Sequence, residues 1–190
     1  MTFFTVTTLL VALREVLVRE SQHARIDHLT GAANGRAFYE AAENQISRLG
    51  RYGRPFSILY IDADNLKRLN DEHGHSVGDE ALKATVSSLK TRLRTGDTVG
   101  RLGGDEFAVL LAEADALAAE VASNRLQLAL RQTVGMQYQV TYSIGVLTCL
   151  CPPPSVDELI ERADNLMYEA KRSGKDAIMR GSNDGANQRA

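Results

Sequence analysis

The 190-residue sequence lacks an excess of either charge: 22 Lys and Arg stand against 24 Asp and Glu, a formal net charge of −2. It therefore has no basic footprint of the kind that nucleic-acid binders carry, and no nucleic-acid partner is expected. A single nucleotide needs only a few local cations. Long apolar runs are also missing. The stretch from Phe3 to Leu13 is broken by Thr and is too short to span a bilayer. Its start has neither the basic region nor the small-residue cleavage site of a secretory signal. Cysteine is scarce: Cys149 and Cys151 would lack two partners as a metal site, so they are expected as reduced thiols in or near the interior. No internal repeat and no second domain can be read, and a cytoplasmic location is expected.

What is present is an ordinary globular composition, 44% hydrophobic and 24% charged, long enough for one sizeable core and an additional helix. Residues 1–26 carry a partial heptad stripe, Leu10, Leu13, Leu17 and Ala24, with Arg14, Glu15, Arg19 and Glu20 between. One amphipathic helix is expected there. It packs on the domain, pairs with its copy in a second chain, or ends a longer stalk from an upstream sensor or membrane anchor.

Pro55 to Asp64 alternates over two mostly apolar faces and reads as a central buried strand. It ends in Asp62-Ala63-Asp64 and passes directly into a short helix from Asn65. Carboxylates at the end of a buried strand are costly unless they meet positive charge, and a divalent cation carrying a triphosphate is the natural candidate. His73 to Asp79 is expected as a loop before a long amphipathic helix marked by Leu82, Val86, Leu89 and Leu93. Val99 to Leu111 reads as two strands joined at Gly103-Gly104, the glycines supplying positive φ or room for close approach, with Asp105 and Glu106 just after the turn. A helix follows over 115–132 and a strand over 136–147. Ser155 to Glu158 forms a capping box for a last helix ending near Gly174. A short strand over 176–179 and a disordered tail over 182–190 complete the chain.

Residues Gly103 to Phe107 spell GGDEF, and here the chain resembles the GGDEF family of diguanylate cyclases over residues 27–181. Further blocks match in order: the entry motif from Asp27 to Phe38, Asp62 to Asp71, His73 to Asp79, and Ser143 to Val146. In the entry motif, Ala32-Ala33-Asn34-Gly35-Arg36 replaces the family's usual Leu-Pro-Asn-Arg-Arg, a departure expected to loosen the turn, while Asn34 can cap the next helix. The resemblance implies an α+β fold: a palm-like, mostly antiparallel central sheet flanked by helices, with an N-terminal signalling helix. It implies condensation of two GTP into cyclic di-GMP, with pyrophosphate released, by a homodimer. The alternative is a catalytically silent GTP or cyclic di-GMP-binding module.

The resemblance also assigns roles. Asp62, the Ala63 carbonyl and Asp105 would hold Mg²⁺ or Mn²⁺. Asp105 would accept the hydroxyl proton, Glu106 would support the metals or the nucleophile, and Lys67 would stabilise phosphoryl charge. Asn65 and Leu66 would bind phosphate through their backbone N–H groups, with Gly104 at the substrate and Lys171 and Lys175 as outer phosphate contacts, although a solvated helix face explains two lysines almost as well. Asn70 and Asp79 would read guanine, and His75 would contact substrate or order the loop. Arg94 and Asp97 match an inhibitory product site, but a basic residue, a glycine and an acid are equally an ordinary helix ending.

Overall fold

A computed structural model describes residues 25–185; of the amphipathic segment expected over residues 1–26 and the tail expected over 182–190, residues 1–24 and 186–190 lie outside them. The elements in chain order are β1 (Ala33–Asn34), α1 (Gly35–Tyr52), β2 (Phe56–Asp64), α2 (Leu66–His73), α3 (His75–Lys90), β3 (Thr98–Arg101), β4 (Glu106–Leu111), α4 (Ala116–Leu130), β5 (Thr141–Cys149), α5 (Val156–Arg172) and β6 (Ile178–Asn183). One six-stranded sheet runs in the order β1-β3-β4-β2-β5-β6. The four inner strands pair antiparallel, while β1 and β6 join the edges in parallel. The fold is α+β and palm-like, as expected.

All nine residues of β2 are buried. Alternation sends Leu59, Ile61 and Ala63 to one face, under α2, α3 and α4, and Phe56, Ile58 and Tyr60 to the other, under α1 and α5. On the first face the hydroxyl of fully buried Tyr142 lies 2.6 Å from that of Thr85, so its polar end is satisfied in the core. On the second, Gly145 of β5 lets α5 lie close. A Cβ there would collide with the Ala163 carbonyl and the Met167 amide nitrogen.

Several expectations are corrected. The entry turn is not loosened: Asn34 N donates to Arg25 O, Ala33–Asn34 pairs with β3, and the Asn34 side chain caps α1 by accepting from Ala37 N at 3.0 Å. The expected loop over 73–79 is two helices meeting at one residue, because Gly74 alone takes the required left-handed φ of 87°. The strand expected from Met136 begins at Thr141. Helix α4 first runs on through a π-turn, Arg131–Gly135, and a helical turn, Met136–Tyr138, that ends at left-handed Gln139. The last strand reaches Asn183, so residues 182 and 183 are not tail. Buried Asn183 accepts from Arg162 Nη1 at 2.8 Å and donates to the Cys151 carbonyl at 3.0 Å. Cys149 is buried and Cys151 half-buried, both as free thiols, and burial pushes the Cys149 thiol up to about 12.

Candidate active site

Register places the acidic ends of β2 and β4 together. Asp62 stands opposite Glu106, and the Ala63 N–H donates to the Asp105 carbonyl at 3.1 Å. The facing pair shares the α5 side of the sheet, where Lys171 reaches from the last turn of α5 and sets Nζ 2.7 Å from Asp62 Oδ2. Lys171 was expected among outer phosphate contacts; here it pairs with the strand carboxylate. Burial raises the Asp62 carboxyl above the usual carboxylate range; Lys171 pulls it back, and Asp105 and Asp64 push it further up. Partial burial works against the Lys171 charge, but Asp62, Asp105 and Asp64 outweigh it and raise the ammonium.

Asp64 is 2% exposed and fully engaged. It accepts from Thr141 Oγ1 at 3.0 Å, Ser143 Oγ at 2.9 Å and the Asp176 amide at 3.3 Å. Glu106 lies near Tyr60, whose hydroxyl is raised first by burial and then by the Glu106 charge. Among the described residues no three His, Cys, Asp or Glu side chains gather as a metal cage. The donors that a divalent ion would find are the Asp62 and Asp105 carboxylates with a backbone carbonyl. This hard-oxygen set, already facing an ammonium, fits Mg²⁺ or Mn²⁺.

The GGDEF turn is the expected hairpin, and of the two uses open to its glycines positive φ is not taken: neither Gly103 nor Gly104 adopts it. Gly103 is needed for another reason. A Cβ there would lie 2.6 Å from Glu106 Oε2, whereas Gly104 opens on free space. The turn is stapled by Arg101, which sequence reading missed. Its Nη2 donates to the Gly104 carbonyl at 2.7 Å, and its Nη1 lies 3.3 Å from Asp27 Oδ1. An arginine just before such a turn is the signal that could have been used.

Beyond β2 the chain turns through Asn65, left-handed at φ 65°, and starts α2 with no side-chain cap. Its first N–H groups are thus left for an anion. Lys67 is exposed beside them, whereas the Leu66 side chain is buried, so only its backbone can serve. Lys175 Nζ donates to Asn65 Oδ1 at 2.9 Å. These groups, with Asp62, Ala63, Asp105 and Lys171, line one cleft of about 430 Å³, to which Arg68 and Asp71 also contribute.

Asn70 on α2 faces α3, and its buried Oδ1 has no hydrogen-bond partner. Gly78 makes the room, since a Cβ there would strike that oxygen. Asp79 follows, half-buried, and His75 is exposed at the start of α3. Gly104 is exposed at the hairpin tip. Arg94 and Asp97 lie apart from the cleft, in a shallow groove with Arg125, which sequence reading did not find. Asp97 behaves as a turn-former: Oδ2 accepts from Arg94 N at 2.9 Å and Oδ1 from Ala112 N at 3.1 Å.

Comparison with known proteins matches the arrangement. The family model described as "Diguanylate cyclase, GGDEF domain" covers residues 24–177. Diguanylate cyclase DgcP of Pseudomonas aeruginosa is 34% identical over 171 residues, 88% of this chain and 25% of DgcP. Diguanylate cyclase DosC of Escherichia coli is 33% identical over 180 residues, 92% of this chain and 39% of DosC. The chain thus spans only a quarter to two fifths of these relatives. A microbial GGDEF domain studied for its interaction with bis-(3′,5′)-cyclic di-GMP superposes with a TM-score of 0.74 at 34% identity, covering 84% of this chain and all of that one. With the motif on its hairpin, the acidic strand ends beside it and a family match over most of its length, the chain belongs to the GGDEF diguanylate cyclase domain family.

Proposed function

We propose that the chain condenses two molecules of GTP into cyclic di-GMP and two of pyrophosphate. The observation that carries this reading is the single cleft in which Asp62, Asp105, Lys171 and the uncapped start of α2 converge. In each half-reaction a 3′-oxygen attacks the α-phosphorus of the other nucleotide. The bond to the β-phosphate breaks, and the hydroxyl proton goes to Asp105. Glu106, near Tyr60, supports the charge beside it. Mg²⁺ or Mn²⁺ held by Asp62, Asp105 and the Ala63 carbonyl would neutralise the triphosphate. The N–H groups of Asn65, Leu66 and Lys67 orient it, the Lys67 ammonium meets charge developing on the phosphoryl oxygens, and Lys171 and Lys175 receive the departing pyrophosphate.

Asn70, once its buried and unpartnered Oδ1 turns outward, and the Asp79 carboxylate are two acceptors for the N–H edge of guanine. Adenine has no N1–H and would set a lone pair against Asp79. Gly104, open at the hairpin tip, lets the nucleotide approach the backbone, and His75 stands at the outer edge. One domain presents one nucleotide, so ring closure needs two copies facing each other across a two-fold axis. Arg94 and Arg125 offer two guanidinium groups for the phosphates of a product bound in the outer groove. A nucleoside triphosphate substrate is consistent with work in the cytoplasm.

Incubation with GTP and Mg²⁺, followed by chromatography, tests the reading. Cyclic di-GMP and pyrophosphate are expected. Binding of GTP without conversion would leave a regulatory module instead.

A further inference from the structure

Between α5 and β6 the backbone enters the left-handed region three times in succession: Gly174 at φ 122°, Lys175 at 66° and Asp176 at 47°. Glycine adopts this region freely, but two adjacent L-residues do not, so the neighbours must impose the conformation. Two neighbours do. Asp64, at the end of β2, accepts the Asp176 N–H at 3.3 Å. Arg131, first residue of the π-turn after α4, donates from Nε to Asp176 Oδ1 at 2.9 Å and from Nη2 to the Asp176 carbonyl at 2.8 Å. One planar guanidinium thus grips the side chain and the backbone of the same residue. The other end of the elbow is Lys175, whose ammonium lies 2.9 Å from Asn65 Oδ1 at the mouth of the cleft. The chain of contacts runs Arg131, Asp176, Lys175, Asn65.

The geometry points to Arg131 as a positioning residue for the triphosphate: it never touches substrate, but it fixes the elbow that aims Lys175. This rests on the reading of the cleft as a GTP site. Arg131 still keeps the α4 register, its N–H donating to the Gln127 carbonyl, and the π-turn starts from it. Arg131 and Asp176 are both substantially exposed, with side chains 45% and 34% accessible. Such a pair adds little to global stability, so its loss should be felt in substrate binding rather than in folding.

The test uses the full chain and Arg131→Ala, in the parent and in a Lys175→Ala background. KM for GTP should rise about five- to twentyfold with kcat within about twofold, as for loss of binding shared by ground and transition states. In the Lys175→Ala background the same substitution should add almost nothing, because the residues act in series. Arg131→Lys, which cannot bridge both acceptors, should recover only part of the affinity. Without nucleotide, hydrogen exchange at the Asp176 amide should quicken in Arg131→Ala while the melting temperature moves little. If Arg131→Ala is unstable, Asp176→Asn removes only the carboxylate half of the grip and should show the smaller KM increase. An unchanged KM, an equal effect in both backgrounds, or unaltered exchange would overturn the assignment. A parent protein that neither binds nor converts GTP would instead overturn the reading of the cleft, and the exchange arm would still report whether Arg131 holds the elbow.

Discussion

Lys171 Nζ lies 2.7 Å from Asp62 Oδ2, so the last helix sets an ammonium against the buried carboxylate of the central strand. Breaking such a pair from one side leaves an uncompensated charge. Lys171→Met should therefore destabilise the metal-free protein by about 1–3 kcal/mol. Added Mg²⁺ should restore more stability to this variant than to the parent, since a ligand of the folded state stabilises by its occupancy. Urea denaturation with and without Mg²⁺ checks both. Equal Mg²⁺ effects in the two proteins would argue against metal at Asp62.

The pH dependence follows from two aspartates shifted in opposite directions. The folded-state carboxyl of Asp62 lies above its ordinary 3.8, so the folded form holds this proton more readily, and the Asp62 contribution falls as pH rises through the window above 3.8. Asp27, partly buried but bonded to Thr30 and Arg101, is lowered; its contribution is present above 3.8 and lost as pH falls below it. In EDTA, Asp62→Asn should flatten the decline on the rising side, and Asp27→Asn should flatten the loss on the acid side. Denaturation midpoints across the acid range measure each.

Asp105→Asn should leave the fold intact and lower turnover by about 10²–10⁴-fold, the usual scale for loss of a positioned proton acceptor. Circular dichroism and product chromatography together check this. Parent-like turnover would remove Asp105 from the chemistry.

Asp79→Asn should narrow the preference for GTP over ATP by about 1–3 kcal/mol, because an amide can turn a donor toward the ring nitrogen that a carboxylate repels. Competition calorimetry with the two nucleotides reads the difference directly. An unaltered preference would mean that Asp79 does not read the base.

Two neighbouring glycines should respond differently. Gly103→Ala places a Cβ 2.6 Å from Glu106 Oε2 and must displace that carboxylate, while Gly104→Ala enters open space. Gly103→Ala should lose activity at nearly parental melting temperature. Gly104→Ala should match the parent in melting temperature, and a lowered one would show that its space is occupied.

The convergence of Asp62 and Asp105 was legible because it follows from strand endings. A buried strand that stops on Asp-Ala-Asp and a hairpin that restarts on Asp-Glu need only antiparallel pairing to meet. The Asn34 cap and the two-faced core of β2 were equally local. Contacts made by long side chains across the sequence were not. Lys171 on Asp62, Arg101 on Asp27 and Arg131 on Asp176 join residues whose local patterns say nothing of each other. The last strand extends further than its apolar pattern because its last four residues, Arg180 to Asn183, carry no apolar stripe and are held by β5 pairing and the Arg162–Asn183 bond. The start of β5 was misplaced because Met136 and Tyr138 look like strand residues but continue a helix that has slipped into a π-turn.

Asp97 joins the loop after α3 to the end of β4, one oxygen on the Arg94 N–H and the other on the Ala112 N–H. A test of the proposed product groove should therefore leave it in place. Replacing it would slacken the approach to the GGDEF hairpin, so a test of the proposed product groove made at this position would mix loss of binding with loss of hairpin order. Arg94 makes no side-chain bond among the described residues, and Arg125 only one, to the Arg92 carbonyl. Arg94 can therefore be exchanged for a neutral residue with the scaffold untouched, which makes it the cleaner probe of the proposed product groove, whereas replacing Arg125 also gives up its bond to the loop after α3.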